Sequence, residues 1–136
     1  MTSTVIYEGG LRTRATHLRS GTEIETDAPI DNQGKGERFS PSDLVATALA
    51  SCMATIMGIA ARNREISIDG TKLDVEKIMT GQPRRIGEVR VDVWFPEHAA
   101  AFDDKLKAVL EHAALTCPVY LSLHHEIGKT VTFHWP

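Results

Sequence analysis

The chain has 136 residues, which suits one domain with one hydrophobic core. With 42% hydrophobic and 24% charged residues it has a globular composition, which excludes the disordered and fibrous classes. The 15 Lys and Arg against 18 Asp and Glu give a net charge of -3, so neither nucleic acid nor a membrane surface is expected as a partner.

The first residues, MTSTVIYEGG, lack a basic region followed by an apolar run. No signal peptide is therefore expected, and a cytoplasmic location is. Two strands are predicted next, TVIYEGGLRTRATH and TEIETDAP, with LRSG between them as a hairpin turn. The segment Ile30 to Arg38, IDNQGKGER, reads as a polar loop containing glycine.

From Ser40 to Arg62 the sequence runs SPSDLVATALASCMATIMGIAAR, with 18 uncharged residues between Asp43 and Arg62. That is near the lower limit of a membrane span, about 17–25 residues. Thr47, Ser51, Thr55 and Gly58 interrupt the stretch, alanines dilute it, and no aromatic belt flanks it. It reads instead as the buried central helix of a soluble fold. Ser40 fits the N-cap, Pro41 the first helical position and Asp43 the acid of a capping box. Arg62 and Arg64 suit the C-terminal end. Val45, Leu49, Cys52, Ile56 and Ile59 recur at steps of three and four, which sets Cys52 on an apolar stripe.

After a short connector, EISIDG, the runs TKLDVEKIMT and IGEVRVDVWF are predicted strands joined by a GQPRR loop. Val89, Val91, Val93 and Phe95 alternate with Arg90, Asp92 and Trp94, so one face is buried. A second helix is predicted over Glu97 to Ala114, with a stripe of Phe102, Leu106, Val109, Leu110 and Ala113. Cys117 extends that stripe, and Pro118 ends or kinks the helix. PVYLSLHHEI reads as one or two further helical turns, and KTVTFHWP as a last strand with Val131, Phe133 and Trp135 on one face. The order implies an α+β fold in which an antiparallel sheet packs on two helices.

A cytosolic chain with two cysteines has no use for them as a structural staple, which leaves inert core residues or a redox pair. Each lies on the apolar stripe of one helix. Stripes that share a core can bring the thiols together, although no spacing rule pairs residues 65 apart. A helical turn beginning at Pro118 makes Cys117 its N-cap, and the helix dipole there lowers a thiol pKa. The six histidines show no zinc-site spacing, neither cysteine has a Gly-rich oxyanion loop, and the glycines form no nucleotide-binding pattern. No metal or cofactor is expected.

FSPSDLVATALASCMATIM, ALTCPVYLSL and the strand pair around GQPRRIGEVRVDV together resemble the OsmC/Ohr family, osmotically inducible protein C and the organic hydroperoxide resistance proteins. The resemblance runs from about Tyr7 to Trp135. It implies an intertwined homodimer with antiparallel sheets packed on two central helices and two sites at the dimer interface. Within each site it implies Cys52 as the peroxidatic thiol and Cys117 as the resolving one. Cys52 would attack an organic hydroperoxide, its sulfenic acid would condense with Cys117, and a dithiol or thiol protein would reduce the disulfide. The family's arginine comes from the N-terminal strands. Arg12, Arg14 and Arg19 lie there, and Arg14 is preferred. The family's glutamate, ten residues before the first cysteine, is replaced by Ser42. Asp43 is the nearest acid, nine residues before Cys52 and on the opposite side of the helix, so it would act through an arginine or across the dimer. This departure points to the OsmC-like branch, and leaves a non-catalytic or ligand-binding member as the alternative. Met53, Ile56, Met57 and Tyr120 suit either a pocket for organic hydroperoxides or plain core.

Overall fold

The computed structural model describes all 136 residues. They divide into two compact units, Met1–Val45 and Ala46–Pro136.

In the first unit, strands β1 (Ser3–Gly9), β2 (Arg12–His17) and β3 (Glu23–Asp27) form an antiparallel meander in the order β1-β2-β3. The sequence predicts one long strand over Thr4 to His17, and the structure corrects this to a hairpin. Gly9, Gly10 and Leu11 have φ of 88°, 61° and 62°, and this left-handed run reverses the chain. The two adjacent glycines reach that region without a Cβ penalty, and Leu11 is the one residue of the turn that bears it. After β3 a 3-10 turn spans Ile30–Asn32. Gly34 then passes so close to Ala28 that a Cβ would fall 1.6 Å from the Ala28 carbonyl oxygen.

Helix α1 runs Pro41–Arg62, the bounds the capping signals predict. The Ser40 amide donates to Asp43 Oδ2 at 2.9 Å, and the Asp43 amide donates to Ser40 Oγ at 3.0 Å, a reciprocal capping box. The helix is long and apolar enough to cross a membrane, with 33% of its most apolar window buried in this single chain. Its buried residues are Ala46, Leu49, Ala50, Met53, Met57 and Ala61. The predicted stripe is therefore rotated. Only Leu49 is shared with the buried face, while Val45 and Ile59 are exposed and Cys52 is half-buried at its edge. Methionine and alanine take the core positions that the stripe gave to β-branched residues.

In the second unit, β4 (Lys72–Thr80), β5 (Arg85–Trp94) and β6 (Gly128–His134) form a sheet in the order β4-β5-β6. β4 and β5 are an antiparallel hairpin, but β5 and β6 are parallel, so the sheet is mixed where an antiparallel one is expected. A parallel pair requires a crossover connection. Here it contains a 3-10 turn (Glu97–Ala101), α2 (Asp104–Leu115) and α3 (Pro118–Ser122). The predicted single helix over Glu97 to Ala114 is broken in two. Phe102 is extended, and Asp103 caps α2 by accepting the Leu106 amide at 2.8 Å. Val89, Val91 and Val93 of β5 join Leu49, Met53 and Met57 of α1, Leu110 and Ala114 of α2, and Cys117 in one core.

Candidate thiol site

Both cysteines are free thiols in the second unit. Cys52 sits about three turns into α1. Cys117 has no exposed surface and joins α2 to α3. Its amide donates to Ala114 O at 3.4 Å, and its carbonyl accepts the Leu121 amide at 3.1 Å. It is the N-cap of α3, and its Sγ accepts the Tyr120 amide at 3.4 Å. Pro118 at the next position supplies the φ that begins a helix and has no N–H to satisfy.

The Cys117 thiol pKa is held above its ordinary value, first by burial and further by the neighbouring Cys52 sulfur. The Tyr120 and Val119 amides pull the other way without overcoming burial. This corrects the expectation that the N-cap position gives Cys117 a low pKa: removing a sulfur from water penalises the thiolate more than two amide donors favour it. Met53 and Met57 are fully buried core, which removes them from any substrate pocket, while Ile56 and Tyr120 remain half-buried beside the core.

Lys129, on β6, is not singled out by any motif. Its ammonium lies 5.2 Å from the centroid of the Tyr120 ring. It also donates to Ile127 O at 3.2 Å and His124 O at 3.5 Å. Only the fold brings this residue to Tyr120. His124 and His125 stack on each other in an exposed turn, and no three His, Cys, Asp or Glu side chains are gathered as metal ligands.

The arginines of the first unit are in different settings. Arg12 forks onto buried Asp27, with Nε to Oδ1 at 2.7 Å and Nη2 to Oδ2 at 2.9 Å, and reaches Glu37 at 3.0 Å. The Asp27 carboxyl pKa is lowered, chiefly by its hydrogen bond from Arg12. Arg14, in the middle of β2, is ringed by Glu8, Glu23 and Glu25 at 3.3, 3.2 and 3.0 Å. Arg19 lies in the turn between β2 and β3 and has no ion-pair partner. Asp43 is engaged in the capping box, and Ser42 Oγ lies 3.2 Å from Ser40 Oγ.

A sequence profile of the OsmC-like protein family matches residues 34–132, and the chain belongs to that family. A crystal structure from Psychrobacter arcticus 273-4, of a protein named for osmotic stress induction and a detoxification response, is 53% identical. It superposes with a TM-score of 0.93, over 98% of this chain and 96% of that one. The organic hydroperoxide resistance protein OsmC of Legionella pneumophila shares the fold at 15% identity and a TM-score of 0.75, covering 98% and 96% of the two chains. OhrB of Bacillus subtilis, an organic hydroperoxide resistance protein, does so at 17% identity and 0.67, covering 98% of each. The comparison with curated proteins gave no match.

Proposed function

We propose that the chain is a thiol-dependent peroxidase that reduces organic hydroperoxides to alcohols. The observation that carries this reading is the proximity of two free thiols, one half-buried and one fully buried, delivered by α1 and the α2–α3 junction. The more exposed Cys52 takes the terminal oxygen of the hydroperoxide and becomes a sulfenic acid, and the alcohol leaves. Cys117 attacks that sulfur, an S–S bond forms, and water is released. A dithiol or thiol protein returns both to thiols by exchange.

Arg14, held by its three glutamates, is the cation we assign to stabilise the Cys52 thiolate, supplied by a second copy of the chain. Asp43 anchors the start of the helix that carries Cys52. The homodimer that we propose would also cover the apolar side chains left exposed in each unit, Val5, Ile6 and Tyr7 in one and Ile59 in the other. The same cover would bury the apolar surface of α1, a helix long and apolar enough to cross a membrane, in the cytoplasmic location we propose.

The test is the mass of the intact protein after one equivalent of cumene hydroperoxide. A loss of about two mass units is expected from the disulfide. Cys52→Ser should abolish both this loss and peroxide consumption. Full activity in that variant would overturn the reading, and two thiols still titratable after peroxide would favour a non-catalytic binding protein.

A further inference from the structure

We propose that Lys129 is a positioning residue for the second half of the reaction: it holds α3 so that the Cys117 sulfur faces Cys52. The inference rests on the peroxidase reading above.

Helix α3 has five residues, too few for its own hydrogen bonds to hold it, and only Val119 and Tyr120 pack, half-buried, against the core. Its N-cap is Cys117, a core residue also tied to the end of α2, and the orientation of that sulfur decides whether a disulfide forms. The bond requires Cα atoms about 4.4–6.8 Å apart and a narrow range of dihedral angle, so a small drift of the helix start prevents it. Within α3 the local ties are Tyr120 N to Cys117 Sγ at 3.4 Å, Ser122 Oγ to Pro118 O at 2.7 Å and Leu123 N to Val119 O at 3.1 Å. None of these hydrogen bonds leaves α3, so beyond the packing of Val119 and Tyr120 a polar tie to another element has to come from elsewhere.

Lys129 makes that connection. Its backbone belongs to β6, registered opposite Val89 in the parallel pair with β5. Its ammonium is over the Tyr120 ring at 5.2 Å and donates to the His124 and Ile127 carbonyls in the turn that follows α3. One cation therefore ties the helix and its exit to the sheet. The cation–π contact needs the charge, and the two carbonyls need its N–H donors. A methionine keeps the stem and loses both.

In the step affected, the Cys117 sulfur attacks the Cys52 sulfenic sulfur. The S–S bond forms, the S–O bond breaks, and the Cys117 proton leaves with the hydroxide as water. The oxidant, an alkyl hydroperoxide, has already been consumed. Lys129→Met should leave the rate of Cys52 oxidation by cumene hydroperoxide unchanged. Closure of the disulfide should slow about tenfold, the loss of one cation–π contact with its hydrogen bonds. The sulfenic acid should then accumulate as a dimedone adduct, and Lys129→Arg should restore closure.

A second measurement needs no peroxide. In a Cys52→Ser background, Lys129→Met should raise the iodoacetamide reaction of Cys117 about tenfold, and Lys129→Arg should not. Disulfide closure and Cys117 alkylation at parent rates in Lys129→Met would overturn the proposal, as would slowing that Lys129→Arg fails to rescue. If the unmodified protein does not react with hydroperoxide, the peroxidase reading falls and the alkylation comparison alone decides the role of the lysine. Lys129→Gln replaces Lys129→Met if the latter loses its circular dichroism.

Discussion

Cys117 carries a sulfur with no exposed surface, and burial keeps its thiol protonated above the usual range. Because its folded pKa is raised, its contribution to stability is present below the unfolded thiol value, near 8.5, and is lost as pH rises through the folded value. Cys117→Ala should therefore flatten the alkaline fall of the urea midpoint. In the unmodified protein at neutral pH, iodoacetamide should label Cys52 well before Cys117, read as site-resolved adducts by mass spectrometry. Asp27 has the opposite sign. Its folded pKa is lowered, first by the Arg12 hydrogen bond, so its contribution is present above the unfolded carboxyl value and disappears as pH falls through the folded one. Asp27→Asn should be less stable at neutral pH and lose less on acidification, measured by urea titration at pH 7 and pH 3.

At the scale of the element, the start of α1 is a two-residue device. Ser40→Ala and Asp43→Ala should each cost about 1 kcal/mol in chemical denaturation, and the double variant less than their sum, because each side chain serves the other's amide. Leu49→Ala, in the fully buried face of the same helix, should cost about 2–5 kcal/mol. That capping box was legible in four letters, SPSD, since capping is local chemistry. So were the burial of Val89, Val91 and Val93, which follows from the two-residue period of a strand, and the N-cap position of Cys117, which follows from the proline after it. The buried face of α1 was not. In a helix rich in Ala, Ser and Thr several faces are comparably apolar, and only the packed partners choose among them. The break at Phe102 was signalled by Asp103, a strong N-cap residue, but the apolar spacing across it is continuous enough to hide it. Lys129 and the ring of glutamates about Arg14 depend on which strands become neighbours, which no local pattern records.

For the whole molecule, the prediction concerns assembly. Sedimentation velocity should give twice the mass of the chain. Ile59→Glu, which puts a charge on an exposed apolar position of α1, should shift the protein toward monomer at micromolar concentration while circular dichroism is retained.

The parallel pairing of β5 with β6 has a consequence for how the chain reaches its native state. Val91 lies opposite Val131, 40 residues later, and everything between them must close into a loop before that register forms. The β4–β5 hairpin and the turns of α1 involve near neighbours and carry no such entropic delay. Cys117 is inside the late-closing loop and Cys52 is outside it. On that loop-closure argument the two sulfurs should meet only when the β5–β6 register of their own unit is built, so the thiol couple proposed above would be completed late.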